Sequence, residues 1–568
     1  MSLHRPAVVA AFLLLVALPT VAQQLPIAGE TIDVSIINVD VYVTDRNGNR
    51  VRSLTRDDFE IREDGKLQPI TNFAEYAPDA KTAEGTFGVE AAATVSVAPP
   101  AKRTVIIFVE VVPRPSARVR EIFDGLREFV RKSVRPGDAA TVVAFRTRSE
   151  TRQEFTDDTE ALEHALAQLE RESIGVAADA HDQIRRAVES DANAARLLSG
   201  VRGHAVGGAA SVTDLGKSAA DMFAMVDLRR KGAALTSLME SISGVEGKKI
   251  MVLALHRFGL LAGDASGEIF FKADTRVEKV RQAVMRTANA NGITLYPLYA
   301  PGVEWPSFGP DPQELRIDVS NVDGDADLSH ARAGNANALN QTMSLVQIAQ
   351  ETGGLMASGP ADIAKLLPRV SDDLETYYSL AYRVTDSGTD SRRKVVVTTK
   401  NRAYEVRSRR AVVDKSDDTQ MDDRVVANLF QPLAHSLIPI EISLGTATQL
   451  RRNRWSVPVK VRIPISALTP LERDGAAAGS FSVFVGTGRD YGLISDVEHQ
   501  KQEYTIKLDD LAIARRSHFT YNVTVEFDEL ADAISIGVRD DVSKEYGLVR
   551  AALPAPARTN EQVGGSVE

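Results

Sequence analysis

IIFVEVVPRPSARV, residues 106–119, decides how the chain is read. A continuous apolar run ends in a single acid, Glu110. A loop with two prolines follows, and an amphipathic helix starts, with Ser116 as its expected N-cap. A run that is apolar at every position fits a strand buried on both faces of a parallel sheet. The helix after it sets Val119, Ile122, Phe123, Leu126 and Val130 on one face. Strand, loop and helix in this order open an alternating α/β domain.

The alternation continues downstream. Pro136-Gly137-Asp138 turns the chain into a second strand, ATVVAF, and Asp157 or Asp158 caps a helix bearing Leu162, Leu166 and Leu169. An Ala-rich stretch, 175–245, reads as mostly helical. KKIMVLAL is a third buried strand, TRVEKVRQAVMRTANANG a helix and GITLYPLY a fourth strand. SLVQIAQETGG is a helix closed by Gly353-Gly354, and ADIAKLLPRVSDDLETYY ends the unit. The fold class expected for 102–375 is therefore α/β, with a doubly wound parallel sheet and a helical insert.

The flanks are β-rich. In TIDVSIINVDVYVTD, Ile32, Val34 and Ile36 alternate, and Val39, Val41 and Val43 resume after a one-residue slip, which predicts a bulge near Asn38. Asn47-Gly48 and Asp64-Gly65 are hairpin turns of an N-terminal β unit, 23–76. Residues 77–101 lack a period and read as a linker. YYSLAYRV, RKVVVTTK and YEVRSRRAVV form a β segment, 376–414, a candidate to pair with the N-terminal unit into one β-sandwich. Residues 415–436 (with KSDDTQMDDR) read as a second linker. Seven short strands over 437–553 fit an immunoglobulin-like β-sandwich, and 554–568 reads as a disordered tail.

Composition narrows the classes further. The 568 residues exceed one hydrophobic core, and a net charge of −10 gives no sign of a nucleic-acid partner. With no cysteine, thiol nucleophiles, disulfides and zinc-thiolate sites are excluded. Arg5, the apolar residues 7–18 and Thr20-Val21-Ala22 read as a cleaved signal peptide, 1–22. Pro19 interrupts the apolar run well short of the roughly 20 residues that span a bilayer. An exported protein, periplasmic or secreted and without a membrane span after cleavage, is expected.

Several blocks carry a family resemblance. In VDVYVTDRNGNRVRSLTRDDFEIREDGKLQPITNF the positions Val51, Leu54, Asp58, Phe59, Glu63, Asp64, Gly65, Gln68, Ile70 and Phe73 match one pattern. NGITLYPL, AQETGG and DLETYYSLAYRV follow in the same order. Over about 31–412 the chain resembles the bacterial exported VWFA-related family, with a von Willebrand factor type A-like domain behind a signal peptide. The resemblance implies a metal site at the carboxyl edge of the sheet, where hard oxygen ligands from three loops would hold Mg²⁺.

The first loop departs from that pattern. Glu110 stands where the resemblance implies an Asp, and Val112 and Arg114 where it implies serines. The later acid, expected after KKIMVLAL, is replaced by His256-Arg257. Asp264, eight residues beyond His256, is with Glu110 the remaining candidate ligand for Mg or Ca. The site is therefore expected to be degenerate, with no cofactor, and Glu110 to pair with Arg114 or Arg257. Elsewhere, SVTDLGKS (211–218) lacks the first glycine of a phosphate loop. Asp323, Asp325 and Asp327 lack the glycine and glutamate of a calcium loop. The nine histidines form no zinc-protease pair. The expected function is non-enzymatic protein binding or scaffolding. The partner would be a protein or envelope macromolecule with an acidic surface, met by Glu110, Arg114, Arg118 and Arg257. A metal-dependent adhesin and an extracytoplasmic hydrolase are the alternatives.

Overall fold

The computed structural model describes residues 34–77, 102–112, 116–174, 212–256, 258, 275–299, 342–358, 360–385, 388–433, 436–473, 475–489 and 494–554. The side chains of 34, 116–118, 212–224, 275, 358, 360, 361 and 385 fall outside that description. So do residues 1–33, where the signal peptide is expected, and the bulk of the 77–101 and 554–568 segments. Residues Val34–Met239 with Glu246–Asp414 make one compact unit, and Lys415–Glu568 with Glu240–Val245 belong to another.

The first unit opens with β1 (Val34–Thr44), β2 (Phe59–Glu63), β3 (Lys66–Gln68) and β4 (Ile70–Tyr76). Its α/β part runs through β5 (Arg103–Glu110), α1 (Ser116–Ser133), β6 (Ala139–Phe145), β7 (Ser149–Thr156) and α2 (159–174). It continues with α3 (Val212–Glu240), β8 (Lys248–Leu255), α4 (Thr275–Ala290), β9 (Ile293–Tyr299), α5 (342–352), β10 (Ala357–Ser358) and α6 (Pro360–Glu375). The six strands lie in the order β10-β9-β8-β5-β6-β7. All neighbours pair in parallel except β6 and β7. The chain thus starts in the middle, winds to one edge and returns to wind to the other, a doubly wound sheet.

Strand parity sorts the core. Odd residues of β5 (Val105, Ile107, Val109) pack with Val119, Phe123, Leu126 and Val130 of α1, Leu162 and Leu166 of α2, and Leu366 and Val370 of α6. Even residues face the opposite side, where α3 and α4 run close together: a Cβ on Gly232 would stand 2.4 Å from Val280. β7 escapes the sequence reading because SETRQEFT is polar. As a partly exposed antiparallel edge strand it has no reason to be apolar. Gly353 closes α5 with φ +81, and Gly354 lies so near Leu295 O that a Cβ there would be 1.9 Å from it.

The strands before and after the α/β part interleave. β11 (Tyr377–Thr385) lies between β1 and β4, giving the sheet β13-β1-β11-β4. β12 (Ser391–Thr399) lies between β14 and β2, giving β14-β12-β2-β3. YEVRSRRAVV is two strands, β13 (Glu405–Ser408) and β14 (Ala411–Asp414), one in each sheet. Val39, Val41, Leu380 and Tyr382 of one sheet and Phe59, Ile61, Val395 and Val397 of the other share a single core. The bulge expected near Asn38 is absent. β1 pairs with β11 without interruption from Val34 to Val41, and the inward residues are Ile37, Val39, Val41 and Val43. Ile36 is left 52% exposed, so the apparent slip is an apolar residue on the outer face. The irregularity lies instead between Ala381 and Tyr382, against β4.

In the second unit the expected linker 415–436 is in fact a helix, α7 (Asp417–Phe430). Ser416 caps it by accepting from Thr419 N, with Asp417 and Asp418 in the first turn. Met421, Val425 and Leu429 recur at four-residue spacing and are buried. The helix's many acids lie on its other positions and hide this stripe from a reading of composition. The rest is two antiparallel sheets. One holds β15 (Glu441–Leu444), β16 (Thr448–Arg451), β17 (Arg454–Pro464) and β21 (His518–Asp528). The other holds β18 (Leu471–Arg473), β19 (Ala476–Gly488), β20 (Glu498–Lys507), β22 (Ala533–Asp540) and β23 (Tyr546–Ala552), and α8 (Leu508–Ala514) follows β20. Trp455, Val457, Phe481, Val483, Ile536 and Val538 join both sheets in one core.

Candidate functional site

Strand order reverses between β5 and β8, and their carboxyl ends therefore flank the crevice where α/β sheets bind ligands. Glu110 closes β5, and His256 follows β8 directly. As an even residue, Glu110 points with Ile106 and Phe108 toward the α3 side and is 3% exposed. Its two carboxylate oxygens are both engaged. The Lys231 ammonium of α3 lies 2.6 Å from Oε1, and the His256 backbone N–H donates to Oε2 at 2.6 Å. Lys231 is itself fully buried and also lies 3.2 Å from Asp227, one turn back on α3.

The local sequence explains how a lysine comes to be there. Met225, Leu228, Leu235 and Leu238 are buried residues of α3, and Lys231 falls between them at spacings of three and four. It occupies a core position, and its stem crosses apolar surroundings to reach the acid. Gly232 lets α4 approach at that level. A buried carboxylate and ammonium in direct contact satisfy one another, whereas either alone would be expensive to bury.

Glu110 pairs with Lys231, a lysine that the sequence reading did not name. Its carboxylate is buried and both oxygens are engaged, which corrects the expectation that Glu110 faces a partner. Val112 is half-buried and offers no ligand atom, and His256 contributes its backbone N–H. Arg114, Arg257 and Asp264 lie outside the described residues, as do the side chain of Arg118 and the acids Asp323, Asp325 and Asp327. Among the described residues no three His, Asp or Glu side chains converge as metal ligands. Among the described residues, the acid that ends β5 is already held by an ammonium, and a hard divalent cation needs about six oxygens.

A second polar cluster was invisible in the sequence. Lys248, the first residue of β8, lies at the amino edge of the sheet, where α6 and the sandwich strands meet. Its Nζ donates to Asp373 O at 2.5 Å and sits 3.3 Å over the Tyr377 ring. Burial lowers its pKa to about 7, against the pull of Asp40. Asp373, fully buried, receives Tyr296 OH at 2.7 Å and Arg407 Nη2 at 2.8 and 3.0 Å, and pairs with Arg50. Residues from β1, β8, β9, α6, β11 and β13 meet here, with the groups packed against one another. The cluster fastens the α/β part to the sandwich.

Among the described residues no helix is long and apolar enough to cross a membrane. No protein-family model matches the chain, and neither does any curated protein. Solved structures do. BatB of Bacteroides thetaiotaomicron is 10% identical, covering 48% of this chain and 98% of its own, with a TM-score of 0.24. A von Willebrand factor type A protein from Catenulispora acidiphila is 10% identical, covering 56% and 68%, with a TM-score of 0.23. The vWF domain of the pili tip protein Mfa5 from Porphyromonas gingivalis is 12% identical, covering 48% and 95%, with a TM-score of 0.19. At such scores the superpositions carry no argument of their own; the strand order and the residues at its switch point do. Among the solved structures that the chain resembles are von Willebrand factor type A domain proteins, the class to which its sequence blocks are similar.

Proposed function

We propose that the protein is an exported, non-enzymatic binding or scaffolding protein. Its von Willebrand factor type A-like domain presents the carboxyl edge of the sheet to another macromolecule without a divalent metal, and an immunoglobulin-like sandwich follows it. The observation that carries this reading is the closed Glu110–Lys231 pair at the switch point. A catalytic acid or a metal ligand must be reachable by substrate or ion, and Glu110 is neither exposed nor uncompensated. What remains for recognition is the two segments that follow β5 and β8 in sequence, which carry Arg114, Arg118 and Arg257. Guanidinium groups pair well with carboxylates, which favours an acidic partner surface.

The experiment is crosslinking of the mature protein in its native envelope, with identification of what it captures. Arg114→Glu combined with Arg257→Glu is expected to lower capture at least tenfold, and added EDTA to leave it unchanged. Unchanged capture by the double variant would remove these arginines from the proposal. Loss of capture in EDTA would restore the metal-dependent adhesin.

A further inference from the structure

The geometry points to Lys231 as a tethered cation resident at the switch point, which seals Glu110 from solution and holds α3 to the β5–β8 edge. The inference deepens the reading above, and rests on it only for the statement that this edge meets a partner. Three contacts argue for it. The ammonium touches Oε1 of Glu110, Asp227 supplies a second carboxylate at 3.2 Å, and the His256 N–H fills Oε2. Among the described residues one positive charge thus meets two acids, one at the end of β5 and one on α3 itself. A soluble ion would have to compete with an ammonium already attached to the protein, at very high effective concentration.

The tether has a mechanical consequence. Lys231 stands on the same buried stripe as Leu228 and Leu235, so its head cannot leave Glu110 unless α3 shifts or the side chain abandons its packing. A partner therefore meets the edge without reaching Glu110. Any ligand that did reach it would have to move α3.

Thermal unfolding of the full mature chain tests this. The wild type is expected to show the same Tm in EDTA and in millimolar Mg²⁺, Ca²⁺ or Mn²⁺; a rise of several degrees with any of them would overturn the inference. Lys231→Met takes the ammonium away from a buried Glu110, and should lower Tm on the order of 10 °C. Glu110→Gln/Lys231→Met removes both charges and should recover most of that loss. Equal Tm values for the single and double variants would show that the pair does not hold α3. In Lys231→Ala the vacated space lies between Glu110 and Asp227, and Mn²⁺ should raise its Tm. That gain should be absent from the wild type and from Glu110→Gln/Lys231→Ala. No gain in a folded Lys231→Ala chain would reduce the pair to a clasp and refute a cation site. If that variant does not fold, the wild-type titration and the methionine pair decide alone. None of these readouts involves partner capture, so a failed capture experiment would count against the partner and not against Lys231.

Discussion

Lys248 and Lys231 are both buried lysines on core elements, and they are held in different ways. Lys231 has a carboxylate at 2.6 Å. Lys248 has a backbone carbonyl, two aromatic faces (Tyr42 and Tyr377) and Asp40 no nearer than 3.9 Å, while Arg50, Arg103 and Arg407 oppose its charge. Its pKa of about 7 in the folded state lies below the roughly 10.4 of an unfolded lysine. Between these values the unfolded chain holds the proton and the folded chain does not, so this residue makes stability rise with pH across that window. Lys248→Met should flatten the rise, read as urea midpoints of the first unit at pH 7, 8 and 9. An unchanged slope in the variant would assign the pH dependence elsewhere.

At the scale of elements, α7 shows where composition misleads. Its Met421 and Val425 meet Phe484 and Tyr546, and a Cβ on Gly537 would stand 2.3 Å from Met421 Cε. Met421→Ala should cost the second unit about 2–5 kcal/mol, measured by urea denaturation. A true spacer would lose nothing. The long strands and the helices of the α/β part were legible in the sequence because burial on both faces, or on one helical stripe, leaves a local pattern. β7 was not legible, since an edge strand can be polar. The division of YEVRSRRAVV into β13 and β14 was not either. That switch is made where Arg410 N donates to Glu351 O at 3.0 Å and Arg409 reaches Asn289 O, contacts from far along the chain.

Over the whole molecule, the α/β part enters and leaves through one sandwich. Both neighbours of β11 (β1 and β4) come from before it, as does β2 beside β12. Deleting 34–76 should therefore expose the inward faces of β11 and β12, and limited proteolysis should cut within 377–414. Continued protection of that stretch would mean that it can fold without its N-terminal half. Loop closure across so long an insertion adds little entropy per residue, which is why such an arrangement is tolerable.

From the sequence alone came the α/β alternation, the flanking strands and the sharp turns at Asn47-Gly48 and Asp64-Gly65. Each of these is a statement about neighbouring residues, and periodicity or residue type suffices for it. The partner of Glu110 needed the tertiary structure. A lysine on the apolar stripe of α3 signals burial, but which charge it meets depends on where α3 crosses the end of β5. Apolar burial is indifferent to partner and can be read locally. A buried charge is specific to its partners, and only the folded chain brings them together.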